Sequence, residues 1–181
     1  MHPFYKGIFF VIYLLPSYVF GATQGALGTT SSGTVNVSIT IPALVQISGL
    51  SDITLGSASS FPAIGSTTAC VYSNVASPLG SYFVTVTSSN ASGGNFRVKD
   101  SGTDFIVYSA FWSNTITVNQ TPPSLGSGTK TAQQTGGSAT SVTCSPAGAN
   151  ANFSVSFNST QVEGAPAAAY SDTVTILISP T

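Results

Sequence analysis

Apolar residues in this chain return at every second position. Val35, Val37, Ile39 and Ile41 alternate with Asn36, Ser38 and Thr40, and the same period carries Tyr82, Val84 and Val86, then Phe153, Val155 and Phe157, then Val174, Ile176 and Ile178. Successive side chains of an extended strand point to opposite faces, so each segment reads as a strand with one apolar face. No stripe at helical spacing competes with this pattern. Turn-rich stretches separate the strands, among them Ser88 to Asn95 and a long low-complexity run from Pro122 to Thr140, which composition predicts to be a mobile loop. Many short strands joined by Gly and Ser turns predict an all-β sandwich; an α/β fold requires helices between its strands. No fixed-period repeat is present.

The first residues follow a different rule. Lys6 precedes an apolar run from Gly7 to Phe20, which ends at the small residues Gly21 and Ala22. This is the layout of a secretory signal peptide, and the run is shorter than the roughly 18 apolar residues that argue for a membrane span. An N-terminal anchor helix is the alternative. The expected organisation is a signal peptide over 1–21, cleaved after Gly21 or Ala22, an N-terminal extension over 22–42, and one β-sandwich domain over 43–181. No later segment is apolar for long enough to span a bilayer, so export without direct membrane insertion after cleavage is expected.

Composition agrees with a folded product. Only 5% of the residues are charged while 42% are hydrophobic and 10% aromatic, which is too apolar for a disordered chain. Removing Lys6 with the signal leaves Arg97, Lys99 and Lys130 against Asp52, Asp100, Asp104, Glu163 and Asp172, so the formal charge moves from -1 to -2. Such a chain has no basic face for nucleic acid or anionic lipid. Its weak charge also gives little repulsion between copies, which suits a protein that associates.

Candidate chemistry is sparse. Cys70 and Cys144 are the two cysteines, and export predicts that they oxidise to one disulfide, with two buried free thiols as the alternative. The single histidine, His2, leaves with the signal, and no CxxC spacing exists, so neither a metal site nor a serine nucleophile with a histidine base is expected. Asp100 and Asp104 form the one close carboxylate pair, flanking Ser101, Gly102 and Thr103, and read as a solvated turn. Tyr108, Phe111 and Trp112 offer faces for a sugar ring, although aromatic residues in a strand usually pack. The Asn-x-Ser/Thr triplets at Asn36, Asn90, Asn119, Asn152 and Asn158 arise by composition. The expectation is a non-enzyme without a cofactor.

Both ends of the mature chain then carry the argument, because each is an alternating strand. An added strand gains backbone hydrogen bonds along an exposed sheet edge and seats alternate side chains in a groove. The Gly-, Ser- and Thr-rich segment from Ala22 to Ser32 is a tether that lets Val35 to Ile41 reach a neighbouring subunit. The alternative is that this strand pairs within its own sheet.

The segment Ala168-Ala-Tyr-Ser-Asp-Thr-Val-Thr-Ile-Leu-Ile resembles the closing strand of spore coat U domains. Asp104-Phe-Ile-Val-Tyr-Ser-Ala-Phe-Trp-Ser-Asn and Phe153-Ser-Val-Ser-Phe resemble internal strands of that family, and Thr34 to Ile41 followed by Ile53-Thr-Leu-Gly resembles its opening. The likeness runs over most of the mature chain in the family's order. It implies an incomplete immunoglobulin-like sandwich completed by donor-strand exchange, as in archaic chaperone-usher pilus subunits. The implied partners are other pilus subunits, a periplasmic chaperone and an outer-membrane usher. The implied course is transit through the periplasm to a cell-surface pilus that supports adhesion or biofilm formation. Val35, Val37, Ile39 and Ile41 take the role of donor side chains, while Val174, Ile176 and Ile178 line the groove edge and meet the chaperone. The family commonly has a cysteine in its opening strand, whereas Ala43-Leu-Val-Gln-Ile-Ser has none, leaving Cys70 to Cys144 as the intrachain option. A self-complemented surface adhesin of spore coat U type, binding a host or matrix ligand, is the alternative, with loops around Phe61 to Thr68 as its contact.

Overall fold

A computed structural model describes residues 21–57, 60–121 and 123–181. The expected signal peptide therefore lies outside the described residues, apart from Gly21. No helix among the described residues is long and apolar enough to cross a membrane. The chain divides after Ile41 into two compact units.

The second unit is an all-β sandwich. Its elements are β1 (Val45–Ser48), β2 (Ala63–Ser73), β3 (Phe83–Ser88), β4 (Phe96–Lys99), β5 (Phe105–Ser113), β6 (Ala151–Phe157), α1 (Ser159–Glu163) and β7 (Val174–Ser179). One sheet has the order β1-β2-β6-β5-β4 and the other pairs β3 with β7, every pairing being antiparallel. In an immunoglobulin sandwich the first, second, fifth and fourth strands form one sheet, and the third, sixth and seventh form the other. Here β1, β2, β6 and β5 take the first set of places, β4 extends that sheet, and β3 and β7 take the third and sixth. Beside β7, where the seventh strand belongs, the described residues supply none.

The periodic segments fill the core as their spacing predicts. Tyr82, Val84 and Val86 from β3 and its approach meet Phe153, Val155 and Phe157 of β6, with Phe96, Ile106, Tyr108 and Ile178 around them. Tyr108 stacks at a tilt on Phe96 and on Phe157, with ring centroids 5.6 and 5.1 Å away, and Tyr82 meets Trp112 edge-on. Phe111 is buried as well. These aromatic side chains are packing groups.

β2 departs from the sequence reading, which left Phe61 to Thr68 as loop. Ala63–Ser73 is an 11-residue strand at the middle of the larger sheet. Its inward residues are small because something lies on them: a Cβ at Gly65 would stand 2.3 Å from Ile53 Cγ2 and 2.9 Å from Leu55 Cδ2. The segment after β1 thus crosses over β2 where glycine leaves room.

Pro122 to Thr140 was expected to be mobile, and its described part is laid along strand edges. Gly128 and Thr131 donate to the carbonyls of Val86 and Val84, Gln134 and Tyr82 exchange two bonds, and Ser138 bonds to Val71 and Ser73. Backbone groups at a sheet edge must find partners, and this Gly-rich segment supplies them without a strand's side-chain pattern. Asn150 continues the edge, its side chain accepting from Val71 N and donating to Val71 O at 2.8 Å each. Cys70 and Cys144 form a disulfide that fixes the same region to β2, the two cysteines being 74 positions apart in sequence.

In the first unit, Thr23 and Thr34 exchange backbone hydrogen bonds of 3.0 and 3.1 Å. The residues after Thr34, expected as a strand, belong to no ladder among the described residues. Their apolar side chains are exposed: Val35 by 73%, Val37 by 91%, Ile39 by 86% and Ile41 by 69%.

Candidate strand-acceptor groove

The two sheets are unequal in width, and this creates the site. Strands lie about 4.8 Å apart, so five strands span about 19 Å between outer axes and two span about 5 Å. Residues 126–134 widen the smaller sheet on the β3 side. On the β7 side no further strand among the described residues closes the space between the sheets, and a recess remains above largely buried apolar side chains. The resulting groove has a volume of about 920 Å³. Its floor is Val98, Ile106, Tyr108, Phe153, Val155 and Phe157; one wall is the segment carrying Ile53 and Leu55, and the other carries Val174 and Ile176.

Hydrogen-bond parity shows what the β7 wall presents. Tyr82, Val84 and Val86 bond outward to residues 128–134, which leaves alternate residues of β3 to bond β7. Ser89 N reaches Thr173 O at 2.9 Å, and the register pairs Thr87 with Thr175, Thr85 with Leu177 and Phe83 with Ser179. The N–H and C=O groups of Val174, Ile176 and Ile178 therefore point to the other edge, because backbone groups alternate in direction along a strand. A strand edge with unused donors and acceptors, above an apolar floor, is a template for another strand.

One end of the groove is set by Asp172. Its carboxylate accepts from the Tyr108 hydroxyl at 2.7 Å, from Ser89 Oγ at 2.9 Å, and from the backbone and side-chain nitrogens of Asn90 at 3.3 and 3.2 Å. These bonds join β5, the turn after β3 and the start of β7. Burial raises the Tyr108 pKa, and the hydrogen bond to Asp172 and its negative charge raise it further. The phenol stays protonated in the folded state where a free tyrosine ionises, near pH 10, so stability is full below that range and declines as pH rises through it. Replacing Asp172 with Ala leaves the Tyr108 hydroxyl without its charged acceptor, and a loss of about 3 kcal/mol is expected in denaturant unfolding. A loss below about 1 kcal/mol would show that the network does not hold the groove.

The groove-edge residues predicted from sequence fall into two places: Val174 and Ile176 line the groove, while Ile178 is buried in the core. Val35, Val37, Ile39 and Ile41 lie in the other unit. The sequence reading missed the wall formed by Ile53 and Leu55, the contribution of Val162 from α1, and the role of Asp172. For α1 the signal was Asn158, whose side chain caps the helix by accepting from Gln161 N at 3.2 Å. Asp100 and Asp104 form a turn in which Asp100 Oδ1 accepts from Gly102 N and Asp104 N. Among the described residues no three metal-ligating side chains gather.

No protein-family profile matches the chain, and no curated protein is significantly similar to it in sequence. The fold is similar to that of a chain in a solved chaperone–tip adhesin complex of CFA/I fimbriae biogenesis. That match has a TM-score of 0.52 at 16% sequence identity, and covers 76% of this chain and 41% of the other. The chain thus spans less than half the length of that structural relative.

Proposed function

We propose that this chain is a pilus subunit, exported by a chaperone-usher pathway and polymerised by donor-strand exchange. The observation that carries the reading is the pairing of supply and demand in one sequence. An apolar groove runs beside a strand edge that is unpaired among the described residues, and residues 35–41 offer four exposed apolar side chains at the strand period. Val35, Val37, Ile39 and Ile41 span about 20 Å when extended, with the same spacing as Val174, Ile176 and Ile178. A donor strand from one copy fills the groove of the next, and before assembly a periplasmic chaperone covers the same edge. The fold likeness to a fimbrial chaperone–adhesin structure supports this context. The assembled fibre leaves through an outer-membrane usher and serves adhesion or biofilm formation, and the chain performs no catalysis. The reading as a self-complemented adhesin has less support, since residues 35–41 enter no ladder among the described residues.

Replacing Val37 and Ile39 together with Asp tests the donor. Seating a carboxylate in an apolar groove costs several kcal/mol. The exported wild-type chain is expected to form ladders of polymer on sizing and denaturing gels without heating. The double variant is expected to stay folded and monomeric. Ladders of equal length from the variant would overturn the donor assignment.

A further inference from the structure

We infer that a second cleft, at the outer edge of β4, binds the acidic group of a sugar, with Arg97 and Lys99 as the recognising side chains. The cleft has a volume of about 420 Å³ and is lined by Ser89, Asn90, Arg97, Lys99, Thr103 and Phe105, so it is separate from the residues of the strand groove. Arg97 and Lys99 stand two apart on β4 and share the face opposite the buried Phe96. They are two of the three cations left once Lys6 is set aside; Lys130 is engaged elsewhere, over the Phe83 ring. Two cations therefore line one cleft side by side, and no carboxylate residue is among the residues that line it.

The geometry aims the arginine. Its Nε donates to Asn90 O at 2.7 Å, and its guanidinium carbon lies 4.4 Å from the centre of the Phe105 ring. These two contacts fix the plane and leave the terminal nitrogens of the fork unbonded among the described residues. A planar fork with two parallel N–H groups matches a carboxylate or sulfate, and an already fixed fork loses less entropy on binding. Among the described residues no carboxylate lies in ion-pair contact with Arg97 or Lys99. The nearest acidic turn keeps Asp100 Oδ1 for Gly102 N and Asp104 N, and Asp172 is held by Tyr108, Ser89 and Asn90. These carboxylates keep their charge near the cleft but are held by neutral donors and lie outside its lining, so the Arg97 fork stays open to an anion. Its size lies within the range of small-molecule sites, and the half-exposed Phe105 with the hydroxyl of Thr103 supplies the mixed surface a sugar ring needs. The ligand class is a uronic acid or a sulfated sugar, the acidic units of matrix polysaccharides.

Arg97 is the only arginine in the sequence, so its side-chain N–H gives one NMR signal free of ambiguity. The exported chain carrying Val37→Asp and Ile39→Asp, which keeps it monomeric, is titrated at constant ionic strength with glucuronate, glucose 6-sulfate, glucose and inorganic sulfate. The two acidic sugars are expected to move the Arg97 signal saturably at millimolar concentration, and glucose to leave it in place. Arg97→Lys, which keeps the charge and removes the fork, is expected to weaken glucuronate binding at least 5-fold when followed through the backbone signals of residues 89–105, and Lys99→Ala by a smaller factor. No saturable shift, or equal affinity in Arg97→Lys, overturns the site. If inorganic sulfate shifts the signal as far and as tightly as the sugars, the cleft reads charge alone and the sugar assignment fails. None of these readouts depends on polymer formation.

Discussion

A peptide spanning Gly33 to Pro42, added to a chain that begins at Pro42, is expected to raise its melting temperature by roughly 10 to 15 °C. The estimate follows from the groove. Seating two Val and two Ile side chains contributes about 1.5 to 3 kcal/mol each before ordering costs. Ordering ten residues offsets much of that, and a peptide at a thousand times its dissociation constant still stabilises by about 4 kcal/mol. The truncation is placed at Pro42 because Asn74 holds this end of the domain, donating to Pro42 O at 2.9 Å and accepting from Leu44 N at 2.6 Å. A peptide with Asp in place of Val37 and Ile39 is expected to leave the melting temperature unchanged. If the native peptide also changes nothing and the full-length chain is a stable monomer, strand donation is wrong and the self-complemented reading takes its place.

The second large effect is expected from the disulfide. Closing a loop between Cys70 and Cys144, 74 positions apart, removes chain entropy from the unfolded state worth about 4 kcal/mol. Replacing both cysteines with Ser is expected to lower the melting temperature by roughly 12 °C, and reductant to do the same to the parent chain. The residues around Cys144 stay attached through Ser138 and Asn150, which bond the backbone of β2 independently. The variant is therefore expected to keep its fold at low temperature, with near-ultraviolet circular dichroism like that of the parent. A melting temperature within 2 °C of the parent would show that these hydrogen bonds, and not the cross-link, hold the region.

The fold was legible where one face of a strand is apolar and large. Tyr82, Val84 and Val86, Phe153, Val155 and Phe157, and Val174, Ile176 and Ile178 all announce their strands because their side chains fill the core between two sheets or, at Val174 and Ile176, pack against it. β2 gave no such sign. Its inward residues include Gly65, Thr67 and Ala69, too small to mark an apolar face, and at Gly65 the segment carrying Ile53 and Leu55 passes close over the strand. The 122–140 run failed in the opposite sense: its backbone bonds order it, and backbone bonds are invisible in composition. The groove was half legible. The strand of Val174 and Ile176 followed from alternation and their place at a groove edge from the family resemblance, but the opposite wall at Ile53 and Leu55 depends on tertiary packing and the Asp172 network on hydrogen bonds to residues more than 60 positions away.

The hold of Asn74 on Pro42 and Leu44 also decides how the domain carries load. Tension entering along residues 35–41 reaches the sandwich at this clamp, then passes into β1, whose four residues pair in register with β2 from Val45 opposite Ser73 to Ser48 opposite Cys70. A pull along β1 strains these cross-strand bonds in shear, so they resist together and do not open one after another. The last pair abuts the covalent tie from Cys70 to Cys144, which keeps β2 from sliding when β1 is drawn. Under such a pull the sandwich behaves as a stiff link.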